Sequence, residues 1–323
     1  MTLRVSAKEF KGVFPILPTC STKDAQSLYS TNTVDIEAMK DLTKRLIEAG
    51  VHGIIALGSM GEVHTVLWEE YKAVIDALVD TVNGKVPLII GCWAPNTREA
   101  VKKAKYVMDA GGDGIMAAPP HYLKPSIENA IQFFRDLADA CPDLAIMIYH
   151  NPMVFRYRIP IEKWEDLMEI PNVVAVKETD NNLPRMMVEA YLCKDKISFM
   201  CHSILLFPCM LFGFTGAWDP LWVNCGPEPI LKLYKACEEN NWDLARKITE
   251  DFIKLSIYEV KVLQGYDWLE SYQVDWEHLV LNAAGYVYTG EPRRPFVHVP
   301  EQIIKAAEAL GKEYRKIVEK WKE

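Results

Sequence analysis

Short apolar segments recur along the chain, each bounded by glycine, proline or polar residues. They are apolar almost from end to end rather than alternating, which is typical of parallel strands that are covered on both faces. Eight segments have this character: Val13–Pro18, Gly53–Leu57, Val86–Gly91, Gly114–Ala118, Leu144–Tyr149, Val173–Val176, Ile197–Met200 and Gly213–Ala217. The pattern therefore predicts eight buried, parallel strands.

Most of the segments between these strands carry apolar residues at three- and four-residue spacing, which predicts amphipathic helices. The clearest are Asp35–Ala49, Trp68–Thr81, Thr97–Ala110, Ile127–Ala140 and Ile161–Glu169. Strands and helices in this alternation predict a (β/α)₈ TIM barrel. An open Rossmann-type sheet is the structural alternative, but no GxGxxG follows the first strand and no GxxxxGK(S/T) occurs in the chain.

After the eighth strand the pattern changes to helices alone. They are predicted at roughly Glu228–Glu239, Trp242–Val262, Gln273–Tyr286 and Pro300–Lys322. We interpret the first as the last helix of the barrel and the others as a carboxy-terminal helical extension. The sequence thus predicts a barrel over residues 1–240 and an extension over residues 241–323, packed together as a single structural unit.

The composition narrows the possible classes of function. Half of the 323 residues are apolar, so a large core is possible, and the net charge of −8 argues against a nucleic-acid partner, which needs clustered lysine and arginine. The eight cysteines form no CxxC pair, so we expect reduced thiols in a cytoplasmic protein. No signal peptide and no apolar run of membrane-spanning length is evident, so we expect a small-molecule substrate and no membrane partner.

Two polar residues stand at the ends of apolar strands, where the chemistry of a barrel is carried out. Lys177 follows Val173–Val176, and desolvation there would lower its pKa and leave a neutral amine able to attack a carbonyl. Tyr149 ends the preceding strand, and its phenol could transfer protons beside that amine. The alternatives are a surface lysine at a strand edge and a core tyrosine with a hydrogen-bonded hydroxyl.

The second strand ends in the loop Gly58-Ser59-Met60-Gly61-Glu62. Two glycines let the backbone approach a ligand and direct successive N–H groups at a carboxylate. A tight structural turn explains the glycines almost as well.

Metal chemistry is the main competing way for a barrel to stabilise an enolate, and it would need convergent carboxylates or histidines. His64, His121, His150 and His202 are scattered singly, without HxH or HExxH. We interpret each as a hydrogen-bonded structural residue. We therefore predict no metal, and attack by a lysine amine requires no organic cofactor.

The motifs GSMGE, YHNP and VKE, which begin at Gly58, Tyr149 and Val176, occur in the order and near the spacing of a known group. Across essentially the whole chain the sequence resembles the superfamily of dihydrodipicolinate synthase and N-acetylneuraminate lyase, the class I pyruvate aldolases. The resemblance implies that Ser59, Met60 and Gly61 hold the carboxylate of pyruvate. It further implies that Tyr149 is the proton shuttle and that Lys177 forms the imine.

Within this superfamily the chain most resembles the hydratase-aldolases that act on trans-o-hydroxybenzylidenepyruvate and carboxybenzalpyruvate. The similar features are a long first loop over residues 18–35, Asn151 in YHNP, Trp218 in the eighth strand and Asn282 in the carboxy-terminal helices. The resemblance implies that Asn151, Trp218 and Asn282 bind substrate. It also implies a homotetramer in which Tyr122 reaches a neighbouring subunit.

Three differences bear on the substrate. The hydratase-aldolases more often have GTFGE and an aromatic residue after the lysine, whereas this chain has GSMGE and Glu178. Dihydrodipicolinate synthases commonly carry an arginine shortly after the tyrosine, where this chain is apolar from Pro152 to Phe155. The missing arginine weighs against a lysine precursor, and Trp218, Trp222, Phe155 and Met153 could form the walls for a flat ring, which favours an aromatic substrate.

These observations predict a Schiff-base enzyme that cleaves an arylidene-pyruvate to an aromatic aldehyde and pyruvate. One alternative is another Schiff-base lyase or synthase of the superfamily, such as dihydrodipicolinate synthase, N-acetylneuraminate lyase or a 2-keto-3-deoxy sugar acid aldolase. The other is a barrel that binds a ligand without catalysis. An imine trapped on Lys177 would separate the enzymes from the binding protein.

Overall fold

Eight parallel strands form the centre of the computed structural model, which describes residues 3–263 and 271–322. They are β1 Gly12–Pro15, β2 Ile54–Ala56, β3 Leu88–Gly91, β4 Gly114–Ala117, β5 Ala145–His150, β6 Val173–Glu178, β7 Ser198–His202 and β8 Gly216–Asp219. Nearly every strand residue is buried, as expected for a sheet covered on both faces. All eight predicted strands are present.

Helices follow the strands around the outside of the barrel. The described α-helices are α1 Ile36–Ala49, α2 Trp68–Val82, α3 Thr97–Ala110, α4 Ile127–Ala140, α5 Pro152–Phe155, α6 Trp164–Met168, α7 Leu183–Cys193, α8 Leu206–Met210, α9 Trp222–Cys225, α10 Glu228–Glu238, α11 Trp242–Val262, α12 Gln273–Ala284 and α13 Glu301–Trp321. Short 3₁₀ turns occupy Ile161–Lys163 and Ser203–Leu205. No described helix combines the length and the apolar character needed to cross a membrane.

From β2 to β8 each strand pairs with the next in sequence, and β8 pairs with β1. The ring closes between β1 and β2 through a bridge of Ile16 with Ile55, where the Leu17 N–H donates to the Ile55 carbonyl at 2.8 Å. Sequential order with closure excludes the open Rossmann-type sheet, which reverses its strand order. The predicted (β/α)₈ barrel with carboxy-terminal helices is confirmed.

Local signals set the bounds of the barrel helices. Asp35 and Asn96 cap the first turns of α1 and α3 by accepting from the N–H groups three residues on. Gly50 ends α1 at a φ of 97°, a left-handed conformation that glycine adopts without strain. The predicted bounds of α1 and α3 are therefore accurate to one residue.

The strands that carry the candidate chemistry extend further than predicted. β6 continues through Lys177 and Glu178, which pair in register with Tyr149 and His150 of β5. Buried Glu178 is tolerated because its carboxylate lies 2.6 Å from Nδ1 of His150. The strand therefore continues beyond Val176, where its apolar pattern ends, because the polar residues that follow have partners on β5.

Residues 241–322 form the helices α11, α12 and α13, although residues 264–270 and 323 of the predicted extension lie outside the described residues. Gly311 lets α13 approach α12, because a Cβ there would lie 2.6 Å from the Val280 carbonyl oxygen. Phe252, Trp276 and Tyr314 of these helices belong to the same continuous core as the barrel strands. The described part of the extension therefore packs on the barrel and shares its core.

Candidate active site

A cavity of about 920 Å³ lies where the carboxyl ends of the strands meet. This end of the barrel collects side chains from several strands and from the loops that follow them. Six of the predicted site residues line this cavity together: Ser59, Met60, Tyr149, Asn151, Lys177 and Trp218. The described residues from α11 and α12 complete its wall.

Lys177 lies at the centre of the cavity wall and is only 2% exposed. Its Nζ is 3.9 Å from the ring centroid of Tyr149 and 3.6 Å from that of Trp218. Burial lowers the pKa of Lys177, while the charge and hydroxyl of Tyr149 act in the opposite direction. A lysine of lowered pKa supplies a larger fraction of the neutral amine that attacks carbonyls.

The hydroxyl of Tyr149 is held between two side chains. Asn151 Nδ2 donates to it at 3.1 Å, and Ser59 Oγ lies 3.5 Å away. Burial alone would raise the pKa of Tyr149, but the positive charge of Lys177 and these hydrogen bonds lower it below the usual value. A phenol of lowered pKa beside an amine is suited to giving and taking protons.

Asn151 owes its position to the turn that follows β5. Its Oδ1 caps α5 by accepting from the Val154 N–H at 3.2 Å, and Pro152 occupies the first turn of that helix. The amide nitrogen is thereby directed toward Tyr149. The YHNP segment thus folds so that its asparagine orients the tyrosine hydroxyl while also lining the cavity.

The loop after β2 presents backbone donors beside the tyrosine. A Cβ on Gly61 would come within 2.7 Å of the Leu57 nitrogen, so the tight turn requires glycine there. Gly61 lies behind the lining, where its carbonyl accepts from Thr19. Within the described part of the chain, the N–H groups of Ser59 and Met60 donate to no protein acceptor, so they can bind an anion.

Trp218 forms a fixed wall beside the lysine. Its Nε1 donates to the Glu178 carbonyl at 3.0 Å, and its ring meets the ring of His202 edge-on at 4.7 Å between centroids. Burial and the nearby charge of Lys177 lower the pKa of His202 to about 3, so this imidazole stays neutral. The wall that faces the amine is therefore flat and uncharged.

The end of the cavity that lies against the extension is acidic, which the sequence analysis did not predict. Glu259 of α11 and Glu277 of α12 line it with Gln273 and Trp276. Burial raises the pKa of Glu259 to about 7 and that of Glu277 well above its usual value. The feature of the sequence that could have indicated this acidic end is that helix α12 carries acidic residues among bulky apolar ones.

Besides Gly61, two further predicted binding residues, Asn282 and Tyr122, lie outside the described lining. The amide of Asn282 bonds the Thr289 N–H at 2.7 Å and the Gly290 carbonyl at 3.1 Å, so it holds the chain after α12 and is absent from the described lining. Tyr122, in the loop after β4, is 88% exposed. Helix α12 contributes Glu277 to the cavity where Asn282 was expected.

An arginine also reaches the cavity, although the sequence is apolar from Pro152 to Phe155. Arg156 adopts a left-handed conformation with a φ of 60°, which turns the chain and brings Arg158 to the rim. Arg158 Nη2 lies 2.5 Å from Asp180 Oδ1, so its charge is balanced within the protein. In the described part of the chain no cluster of three or more potential metal ligands occurs.

The chain is similar to proteins of known family. Residues 20–312 match the model of the dihydrodipicolinate synthetase family. Two similar proteins are a trans-o-hydroxybenzylidenepyruvate hydratase-aldolase from Pseudomonas aeruginosa, 31% identical over 96% of this chain and 94% of that protein, and a trans-2′-carboxybenzalpyruvate hydratase-aldolase from Nocardioides sp. strain KP7, 26% identical over 98% and 96%. The solved structure of PhdJ bound to a substrate intermediate has the same fold, with a TM-score of 0.92 at 24% identity over 98% of this chain and 99% of that one.

These matches confirm the superfamily resemblance drawn from the GSMGE, YHNP and VKE motifs. Each motif contributes a residue to one cavity, namely Ser59, Tyr149 and Lys177. The similarity to the two hydratase-aldolases extends over nearly the full length of both proteins. The chain therefore belongs to the dihydrodipicolinate synthetase family and is a carbon–carbon lyase of the lysine Schiff-base class.

Proposed function

We propose that the chain is a hydratase-aldolase that cleaves an arylidene-pyruvate to an aromatic aldehyde and pyruvate, in a reversible reaction. The observation that carries this proposal is the position of buried Lys177 between Tyr149 and Trp218 in a cavity with aromatic walls. Two relatives named as hydratase-aldolases of arylidene-pyruvates support it.

The reaction begins with imine formation. The neutral amine of Lys177 attacks the ketone carbon of the substrate, and the resulting carbinolamine loses water to give an iminium ion. Tyr149 carries protons between the nitrogen and the departing oxygen, because its hydroxyl lies beside the amine. The N–H groups of Ser59 and Met60 hold the substrate carboxylate and fix the orientation of the imine.

The iminium ion then promotes hydration and cleavage. It is conjugated with the alkene, so water adds at the carbon that bears the ring and a proton adds at the adjacent carbon. Removal of the hydroxyl proton by the Tyr149 phenolate breaks the carbon–carbon bond, which releases the aldehyde and leaves a pyruvate enamine. Protonation and hydrolysis of the resulting imine release pyruvate and restore Lys177. The net reaction consumes one water.

The walls of the cavity favour an aryl group over a sugar or an amino-acid semialdehyde. The lining includes Trp218, Leu221, Trp222 and Trp276, and apolar aromatic walls match a flat ring. Arg158 is the cation that would hold a second carboxylate, but it is paired with Asp180. The other members of the superfamily are therefore less well matched to this site.

A panel of aldehydes tests this proposal. The protein is incubated with pyruvate and, separately, with substituted benzaldehydes, an amino sugar and an amino-acid semialdehyde, and each product is identified by mass spectrometry. We expect arylidene-pyruvates from the benzaldehydes. Condensation with the sugar or the semialdehyde alone would contradict the proposal and favour another activity of the family.

Replacing Tyr149 with phenylalanine is expected to reduce kcat by roughly 10²–10⁴-fold, the contribution typical of a positioned general acid–base group. The pyruvate adduct on Lys177 should still be trapped, because the amine remains. Tyr157→Phe is the matched control, since Tyr157 is buried and its hydroxyl bonds only the Tyr149 carbonyl among the described residues. Turnover of Tyr149→Phe within a few-fold of the wild-type protein would show that another group moves the protons.

We also propose that the protein is a cytoplasmic homotetramer. Tyr122 and Leu123 are 88% and 79% exposed in the loop after β4, and adjacent exposed apolar residues are common where another chain binds. The eight cysteines are free and buried, as suits a reducing compartment. Sedimentation velocity should give a species of four chains, and a monomer at micromolar concentration would contradict this part of the proposal.

A further inference from the structure

The cavity extends beyond the part that pyruvate would occupy. Its lining includes Lys177, Leu221 and Trp222 together with the acidic residues Glu259 of α11 and Glu277 of α12. At about 920 Å³ it has the size of a pocket for a much larger molecule than pyruvate. An aryl group attached to an imine on Lys177 therefore has room within the cavity, while the N–H groups of Ser59 and Met60 bind the carboxylate.

One carboxyl oxygen of Glu277, at the acidic end of the cavity, has no hydrogen-bond partner among the described residues. Its side chain is 6% exposed and lines the cavity, and Gln273 is hydrogen-bonded to its carboxyl group. The Oε2 atom meets no hydrogen-bond partner among residues 3–263 and 271–322. Buried polar groups in native proteins are nearly always hydrogen-bonded, so an unpartnered carboxyl oxygen on a residue that lines a cavity is a candidate partner for a ligand group.

The charges around Glu277 determine which group that can be. Asp219 of β8 and Glu259 of α11 oppose ionisation of Glu277, and Lys177 of β6 favours it. Burial and these two acids raise the pKa of Glu277 well above its usual value, which favours the protonated carboxyl group, a form that can both donate and accept. A substrate carboxylate there would be an anion buried without a free cation among the described lining residues, because Lys177 forms the imine and Arg158 is paired with Asp180, and such burial is unfavourable.

We propose that Glu277 determines substrate specificity by hydrogen-bonding a neutral substituent, such as a hydroxyl, on the aryl ring, and that this end of the cavity rejects a carboxylate there. The inference rests on the proposed hydratase-aldolase function and deepens it. Of the two relatives described above, one is named for a hydroxyl-substituted and the other for a carboxyl-substituted substrate. We expect Glu277 to give this chain a preference for a hydroxyl substituent on the ring.

The test compares benzaldehydes that carry hydroxyl, methyl or carboxylate at the same ring position, each examined at the ortho, meta and para positions. The value of kcat/KM for condensation with pyruvate is measured for the wild-type protein, Glu277→Leu and Glu277→Gln. Glu189→Gln is the matched control, because Glu189 is a buried acid of raised pKa that bonds Trp164 and Arg185 away from the cavity. Borohydride trapping of pyruvate on Lys177 reports the active fraction of each variant.

The wild-type protein is expected to prefer hydroxyl over methyl and over carboxylate by at least about tenfold at one ring position. Glu277→Leu should abolish the preference for hydroxyl over methyl, because leucine offers no donor. Glu277→Gln should retain it, because an amide both donates and accepts, and Glu189→Gln should leave the ratios unchanged.

Equal hydroxyl-to-methyl ratios in wild-type protein and Glu277→Leu would overturn the inference while leaving the proposed function intact. A wild-type preference for carboxylate would overturn it without any variant, which covers the case in which the leucine variant does not fold. If pyruvate is trapped on Lys177 but no benzaldehyde reacts, the hydratase-aldolase function fails and the inference fails with it. The three results are distinguishable.

Discussion

Replacing Lys177 with alanine is expected to abolish carbon–carbon cleavage, with a loss of about 10⁴-fold or more, the scale on which removal of a covalent nucleophile acts. Without the amine no iminium ion forms, so the electrons released by the broken bond have no acceptor. Lys177→Arg should be equally inactive, since a guanidinium stays protonated and does not attack a ketone. Steady-state cleavage of an arylidene-pyruvate measures both variants.

Borohydride reduction in the presence of pyruvate tests the same claim directly. Peptide mass mapping should locate a reduced pyruvyl group on Lys177 in wild-type protein and nowhere in Lys177→Ala. Lys103→Ala is the matched control, because burial also lowers the pKa of Lys103, but its Nζ bonds the Trp93 carbonyl outside the cavity. An adduct on another lysine, or an active alanine variant, would contradict the mechanism and leave the barrel without its assigned nucleophile.

The pH dependence of trapping follows from the same lysine. Because burial lowers the pKa of Lys177, the neutral amine persists at pH values below the ordinary lysine pKa. The trapping rate should therefore decline, as the pH falls, with a midpoint below that of an exposed lysine. Tyr149 raises the pKa of Lys177, so Tyr149→Phe should move that midpoint to still lower pH.

The barrel and its central pair of residues were predictable because both depend on local order in the sequence. An apolar run followed by a polar residue marks a buried strand and its carboxyl end, and closure of a barrel brings such ends together. Lys177 and Tyr149 stand opposite each other in the register of β5 and β6 for this reason. The apolar pattern could not show that β6 continues to Glu178, because that depends on its partner His150.

The acidic end of the cavity could not be predicted in the same way. Which residues of α12 face the cavity depends on how the helix packs on the barrel, and Asn282 and Glu277 are both polar residues on that helix. Arg158 was missed because the left-handed turn at Arg156 redirects the chain after α5. The position of each of these side chains relative to the cavity depends on how the chain packs in three dimensions, which the local sequence pattern does not show.

Glu62 shows the same limitation most clearly. It ends the GSMGE motif, but its carboxylate faces away from the cavity lining and meets the guanidinium of Arg293 at 2.9 Å and Nε2 of His278 at 3.2 Å. Arg293 also donates to the carbonyls of Thr19 and Thr33. Glu62 therefore ties the loop after β2 to α12 and to the segment beyond it, across 231 positions of sequence.

Replacing Glu62 with glutamine is expected to reduce the free energy of unfolding by about 3–5 kcal/mol, because it leaves the buried charge of Arg293 without its counterion. Urea denaturation followed by tryptophan fluorescence measures the change. Glu301→Gln is the matched control, since its pair with Lys305 is exposed and should contribute less than about 1 kcal/mol. An effect of Glu62→Gln no larger than that of the control would show that the buried pair is dispensable.

The pH dependence and a double variant sharpen this prediction. Burial would raise the pKa of Glu62, but its bond with His278 and the charge of Arg293 lower it, so the stabilisation is present above the ordinary glutamate pKa and is lost as the pH falls through the lowered value. Glu62→Gln should lack this acid-dependent loss. Adding Arg293→Met should recover part of the stability, because the unpaired charge is then removed. Since the cluster holds both the loop of Ser59 and the helix of Glu277, we expect the single variant also to raise KM for pyruvate.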